Sequence, residues 1–263
     1  MFFNKPKVSI ITVNYNNKAG LDKTIQSVTS QSYPNIEYIV IDGGSDDGSK
    51  AVLTKYNDKL AYAVSEPDKG IYNAMNKGIK VATGEYLLFL NSGDNLIDDQ
   101  VIEKAVQYGL AEDLVYGDLV YVNGEIYTDW IAEDELTFDS FYEHTIPHPS
   151  TFIKRSLFET VGLYNEQLKI VSDWEFFLLA TCRYNCSYKH INLPITHFYM
   201  DGISADPMNY ESLLAERAAV LKRHFPFFLK DYEGHKKIKE QLRKVKKYVK
   251  LKGLVKGLFK KQQ

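Results

Sequence analysis

Only two cysteines, Cys182 and Cys186, occur in 263 residues. They are too few for a disulfide framework, and no CxxC pair suggests a structural zinc site. The composition therefore points to a reducing compartment. No apolar run approaches the roughly 20 residues of a membrane-spanning helix. The segment after Met1 meets Lys5 and Lys7 before a strand-like run, so the reading expects neither a span nor a signal peptide. Three nucleotide and hydrolase signatures are also missing. No GxGxxG follows the first apolar strand and no GxxxxGK[ST] exists, which removes dehydrogenases and P-loop enzymes. Without GxSxG, a lipase-like hydrolase has no nucleophile. His144 and His148 are four apart, but Pro147 and Pro149 rule out a continuous helical zinc face.

What is present describes a globular chain: 44% hydrophobic and 25% charged. Its net charge of −2 hides an asymmetry. From Lys230 onward, 13 Lys plus Arg face 3 acids, a net of +10, which leaves residues 1 to 229 at −12. An acidic body has no cationic working surface for nucleic acid, so no nucleic-acid partner is expected.

Val8 to Val13 and Ile36 to Ile41 are β-branched apolar runs, as in buried parallel strands. Leu21, Ile25 and Val28 form a helical stripe between them. A short strand at Leu60 to Val64 precedes a second stripe, Ile71, Ala74, Met75, Ile79 and Ala82, with Asp68 as expected N-cap. Glu85 to Leu90 is the next buried strand. This alternation predicts an α/β fold, with a mostly parallel central sheet and helices on both faces. Ligands bind such sheets at the carboxyl ends of the strands. Asn14 to Asn17, Asp42 to Asp47 and Asn91 to Asp94 all fall there. Later, an Asn123-Gly124 hairpin, a helix opening at Asp173, an extended Tyr188 to Tyr199 and a helix over Tyr210 to Phe225 are expected.

Each cluster has a chemistry. Asp42 could accept the N–H of a base, or simply close an Asx turn. Gly43 lets the backbone approach a ligand. Lys69 sits beside a helix start, where anionic groups such as a diphosphate are favoured, or it is a solvated lysine. Asp94 leaves a buried strand as an oxygen ligand for a hard cation.

The segments SIITVNYNN (9–17), QSYPNIEYIVIDGGSDDGS (31–49), EPDKGIYNAMNKGI (66–79) and GEYLLFLNSGD (84–94) together resemble family 2 glycosyltransferases of bacterial surface-polysaccharide assembly. The resemblance implies the GT-A nucleotide-diphospho-sugar transferase fold over 1–229, with a nucleotide-sugar half of about 1–110 and an acceptor half of about 111–229. It assigns Asn14, Tyr15, Asn16, Asp42, Gly43, Asp47, Lys69, Asn91 and Asp94 to the donor. FLNSGD stands where the family writes FLDxDD, so Asn91 and Gly93 replace two acids and only Asp94 remains for Mg²⁺ or Mn²⁺. In the second half, VSDWEFF (171–177) matches the general-base segment, making Asp173 the base, with His148 and Trp174 on the acceptor side. DGIS (201–204) matches a later loop near the diphosphate.

The implied reaction is an inverting displacement: an acceptor hydroxyl attacks the anomeric carbon, a carboxylate takes its proton, and cationic groups stabilise the departing diphosphate. The thinned acidic motif leaves open a second reading, a non-catalytic nucleotide-sugar-binding or scaffold protein. A nucleotidylyltransferase would need a glycine-rich loop after the first strand, which is missing. In 230–263 apolar residues recur as Ile238, Leu242, Val245 and Val249, with lysines opposite. That is the pattern of an amphipathic helix on an anionic membrane. A cytoplasmic protein peripheral to the inner face of the membrane is the expectation, acting on a glycan or lipid-linked acceptor.

Overall fold

The computed structural model of the protein describes residues 5–200, 202 and 207–259, without the side chains of 240 and 247–259. Two compact units divide it, Met1–Leu213 and Leu214–Gln263.

The first unit is built on one mixed sheet. In chain order it runs β1 (Val8–Asn14), α1 (Lys18–Thr29), β2 (Ile36–Asp42), α2 (Ser49–Lys55), β3 (Tyr62–Ser65), α3 (Ile71–Val81), β4 (Tyr86–Phe89) and β5 (Asn95–Leu96). There follow α4 (Val101–Tyr108), β6 (Leu114–Asn123), β7 (Ile126–Trp130), α5 (Phe138–Glu143), β8 (Thr151–Lys154), α6 (Leu157–Val161), α7 (Ser172–Cys182) and β9 (Tyr188–Tyr199). The strand order is β3-β2-β1-β4-β8-β6-β9-β5, with β7 beside β6. Strands β1 to β4 are parallel, as the helix-separated apolar runs predict. The second half adds β8, β7 and β5 antiparallel, while β9 runs parallel to β6.

Every residue of β1 is buried, because a central strand has helices over both faces. One side of the sheet packs Val8, Ile10, Tyr38, Val40, Tyr86 and Leu88 against Leu21, Ile25 and Val28 of α1. Pro194 sits within β9 opposite Asp118, where the register shifts. That is how a residue without an N–H is accommodated inside a sheet. The hairpin expected at Asn123-Gly124 joins β6 to β7, with Gly124 at φ 60. Helix α3 begins two residues later than its expected cap would place it. Gly70 is the N-cap residue, and Asp68 Oδ1 instead accepts the Gly70 N–H.

In the chain's last stretch, α8 spans Tyr210–His224 and α9 spans Pro226–Phe259. Ile238, Leu242 and Val245 are exposed on α9. No helix among the described residues is long and apolar enough to cross a membrane. Of the loop expected at 201–204, all but Gly202 lies outside the described residues.

Candidate active site

The parallel register puts Asn14 beside Asp42 and Asp42 beside Ser65, so three strand ends meet in one row. Their side chains lock together. Asp42 is wholly buried. Its Oδ1 accepts from Asn14 Nδ2 at 2.6 Å and Ser45 Oγ at 2.5 Å. Its Oδ2 accepts from the Ser45 N–H at 3.0 Å and from Ser65 Oγ. Burial alone would raise this carboxyl, but hydrogen bonds from Ser45, Ser65 and Asn14 outweigh it and hold Asp42 below its ordinary value.

Both Asp42 oxygens are engaged by these loops, so the carboxylate holds the loop after β1 to the loop after β2. Asn14, also buried, belongs to the same joint through its Nδ2, while its Oδ1 has no hydrogen-bond partner among the described residues. Asn16, at φ 48, extends the joint: its N–H donates to Ser45 Oγ at 2.7 Å and its Oδ1 accepts from the Asp46 N–H at 3.0 Å. Asp47 ties together the starts of two helices. Its Oδ2 accepts from the Lys18 N–H at the start of α1 and its Oδ1 from the Ser49 N–H at the start of α2, where helix ends need acceptors.

Tyr15, on the loop after β1, is 69% exposed. It stands next to Gly43, where a Cβ would lie 3.2 Å from the Tyr15 ring and 2.5 Å from Asp68 Oδ2. Only glycine leaves room there for both side chains. Lys69 is exposed on the same approach.

The FLNSGD segment is a tight turn. Gly93 adopts φ 113, and the Asp94 N–H donates to the Asn91 carbonyl at 3.1 Å. Asp94 is 6% exposed, and its Oδ1 accepts the Tyr199 N–H at 3.0 Å, tying the turn to β9. Asn91 Oδ1 is buried with no hydrogen-bond partner among the described residues. Lys23 of α1, which carries no motif signal, lies 3.2 Å from the Tyr199 ring centre. No group of three or more His, Cys, Asp or Glu that could hold a metal occurs among the described residues. The donors offered, a carboxylate and an amide oxygen, are hard oxygens. They fit Mg²⁺ or Mn²⁺ provided other oxygens complete the shell.

Asp173 stands at the start of α7 with its side chain 27% exposed. Tyr72 of α3 places its hydroxyl 2.8 Å from Asp173 Oδ1 and 2.7 Å from the Ile170 carbonyl. His148 Nδ1 lies 3.9 Å from Asp173 Oδ2. The His148 ring is buried, stacked on Phe89 at 4.9 Å, and its Nε2 is 2.9 Å from the Tyr164 hydroxyl. Burial pushes the imidazole below its ordinary value, with the Asp173 charge opposing. His148 is therefore neutral near pH 7.

Sequence reasoning missed what α3 does here. Asn73 Nδ2 and Asn76 Nδ2 donate to the two oxygens of Glu166 at 2.9 Å each, and Asn76 also exchanges two hydrogen bonds with the Tyr164 backbone. The hydrogen bond from Asn76 leads the effects that hold Glu166 below its usual range, joined by Asn73 and the charges of Lys80 and Lys69. The spacing 72, 73 and 76 on one helix is the only signal of this surface. Trp174, expected on the acceptor side, turns into the core. It is 2% exposed, with Nε1–H donating to the Phe141 carbonyl at 2.7 Å. It is a core residue, because neighbours on a helix point about 100° apart and Asp173 takes the open direction.

Comparison with known proteins supplies the family and the fold. The profile of glycosyl transferase family 2 matches residues 9–166. An uncharacterized glycosyltransferase of Mycobacterium tuberculosis is 36% identical over 238 residues, covering 84% of this chain and 86% of that protein. A PGL/p-HBAD biosynthesis glycosyltransferase of Mycobacterium bovis is 32% identical over 177 residues, covering 65% and 68%. Among solved structures, residues 1–349 of TarS from S. aureus, in complex with UDP, match with TM-score 0.64 at 20% identity. The match covers 82% of this chain and 65% of that one, so the present chain spans just under two thirds of that structure. The likeness shows the GT-A fold. The chain belongs to glycosyl transferase family 2.

Proposed function

We propose that this family 2 glycosyltransferase moves a sugar, with inversion, from a UDP-sugar to a hydroxyl of a glycan or lipid-linked acceptor in polysaccharide biosynthesis. The observation that carries the reading is Asp173. It is a part-exposed carboxylate held by Tyr72 and flanked by a neutral His148, in the same unit as the strand-end loops. A relative named for PGL/p-HBAD biosynthesis and a fold neighbour in complex with UDP support the substrate class.

In this reading Tyr15 and the Gly43 backbone meet the base and ribose, on loops fixed by Asp42, Asn14, Asn16 and Asp47. Lys69 lies toward the diphosphate. Asp94, with the Asn91 amide oxygen, would hold Mg²⁺ or Mn²⁺, whose chemistry when bound is to neutralise charge on the diphosphate. Asp173 accepts the proton of the acceptor hydroxyl as its oxygen attacks the anomeric carbon, and the bond from that carbon to the UDP oxygen breaks. His148, close to Asp173 and buried against Phe89, shapes the acceptor side.

The proposed domain division is a catalytic body, 1–229, and a basic tail, 230–263. On α9, exposed Ile238, Leu242 and Val245 recur at helical spacing, while Lys237, Lys239, Arg243, Lys244 and Lys246 take other faces. This supports a peripheral position on an anionic inner membrane surface. The deciding experiment is transfer from radiolabelled UDP-sugars to lipid-extract acceptors with Mn²⁺ present. UDP binding without transfer or donor hydrolysis across the panel would favour the non-catalytic reading instead.

A further inference from the structure

Asp173 needs more than exposure to act as a base. Its reactive oxygen must be selected, and its charged form must be favoured over its protonated form. The described groups packed about it are Tyr72 from α3, His148 from the turn at 148–150, and Tyr164 from the segment after α6. Of these only Tyr72 touches the carboxylate at hydrogen-bond distance, since 3.9 Å from His148 Nδ1 is too long for a hydrogen bond.

The Tyr72 hydroxyl has one proton and two acceptors at nearly equal distance, Asp173 Oδ1 at 2.8 Å and the Ile170 carbonyl at 2.7 Å. A phenol cannot donate to both at once. While Asp173 is ionised, its charge draws the proton, because a hydrogen bond to a charged acceptor is the stronger one. Once Asp173 has taken a proton from the acceptor, that advantage is gone and the Ile170 carbonyl competes on equal terms. The ring is buried and the phenol keeps its own proton, as burial and the nearby Asp173 charge both oppose ionisation.

We propose that Tyr72 is the positioning residue of the transfer reaction: its hydroxyl occupies Asp173 Oδ1, leaves Oδ2 as the oxygen that takes the acceptor proton, and releases toward the Ile170 carbonyl when the base becomes protonated. The proposal rests on Asp173 being the base. The step balances, since the acceptor O–H bond breaks, an O–H bond forms at Asp173 Oδ2, and Tyr72 only turns its hydrogen between two acceptors. The same tyrosine sits one residue before Asn73, which is tied to Glu166. The packing that fixes α3 against the acceptor side therefore also fixes the hydroxyl.

The test is Tyr72→Phe, with Asp173→Asn alongside, measured on the full chain as UDP release from the UDP-sugar that the wild type turns over, across pH 4.5 to 8.5. Removing a donor to the ionised form should move the acid limb of the rate profile up by about one pH unit. At the plateau kcat should fall about tenfold, with KM for that UDP-sugar unchanged. A solely structural tyrosine would lower the melting temperature and leave the profile in place, and that result overturns the proposal. If Asp173→Asn keeps wild-type turnover, the base assignment itself fails. If Asp173→Asn is inactive and Tyr72→Phe has the wild-type profile, only the role of Tyr72 falls. Should Tyr72→Phe not fold, Tyr72→His, which keeps an N–H donor on a smaller ring, separates loss of the hydrogen bond from loss of packing: a restored acid limb supports the proposal, and a wild-type melting temperature with a displaced limb assigns the effect to the lost donor.

Discussion

The Tyr164 hydroxyl and His148 Nε2 are 2.9 Å apart, both buried. The Asp173 charge 3.9 Å from Nδ1 favours the neutral tautomer with its proton on Nδ1, in which Nε2 accepts from the Tyr164 hydroxyl. In a protonated ring Nε2 carries a proton, so the direction of this hydrogen bond would reverse and the Tyr164 oxygen would accept.

This sets a pH dependence. The folded state holds His148 below its ordinary value of about 6.5, chiefly by burial, so the unfolded chain binds the proton more readily. The stability this contributes is complete above about pH 6.5 and is lost as pH falls. His197 is lowered by burial and by Lys23, and acts in the same direction. The melting temperature should decline between pH 6.5 and 5, and His148→Gln should flatten part of that slope. An equal slope in the variant would refute the assignment.

A second acid-sensitive joint involves Glu37. Burial would raise its carboxyl, but hydrogen bonds from Lys7, Ser9 and Thr83 override this and take it down to about 2. Its contribution is present above about pH 4.5 and disappears as pH falls toward 2. Glu37→Gln should unfold more readily in urea at pH 7 and lose that part of the acid dependence. Denaturant midpoints across the range would reveal it.

Asp173→Asn should lower transfer by about 10²- to 10⁴-fold while UDP affinity stays within about twofold, since the base acts on the acceptor proton. Calorimetry with UDP and turnover on one preparation give both numbers.

Asp94→Ala should weaken UDP binding chiefly when Mn²⁺ is present. Asp42→Ala should weaken it with or without metal and also lower the melting temperature, because its carboxylate anchors Asn14, Ser45 and Ser65. A metal-independent loss in Asp94→Ala would remove the ion from this position.

Deleting residues 236–263 should abolish sedimentation with anionic liposomes at low salt and leave UDP affinity intact. Retained sedimentation would assign membrane contact to another surface.

The parallel half of the fold is legible in the sequence, because runs such as VSIITV and IEYIVI alternate with helical stripes, the pattern of a parallel sheet with helices on both faces. The strand-end position of the donor loops follows from the same pattern. What each loop residue does is not legible there. Asp42 meets Ser65, 23 positions away, and only the register of β2 against β3 brings them together. Trp174 shares its neighbourhood in sequence with Asp173 but not its direction on the helix. The role of α3 stayed hidden because its amphipathic stripe reports which face is buried and says nothing of the segment that will cover it. Here that segment, 164–173, lies some 90 to 100 positions away.

Asn76 gives that junction an unusual dependence on the chemical identity of one amide. Its Oδ1 accepts the Tyr164 N–H at 3.0 Å and its Nδ2 donates to the Tyr164 carbonyl at 2.9 Å, so the side chain pairs with Tyr164 as a neighbouring peptide group would. An aspartate has the same shape but no donor. Hydrolysis of this single amide during storage would therefore set a carboxylate oxygen against both the Tyr164 carbonyl and the Glu166 carboxylate. Ageing of the protein at residue 76 would pry α3 from the acceptor side without breaking any bond of the main chain.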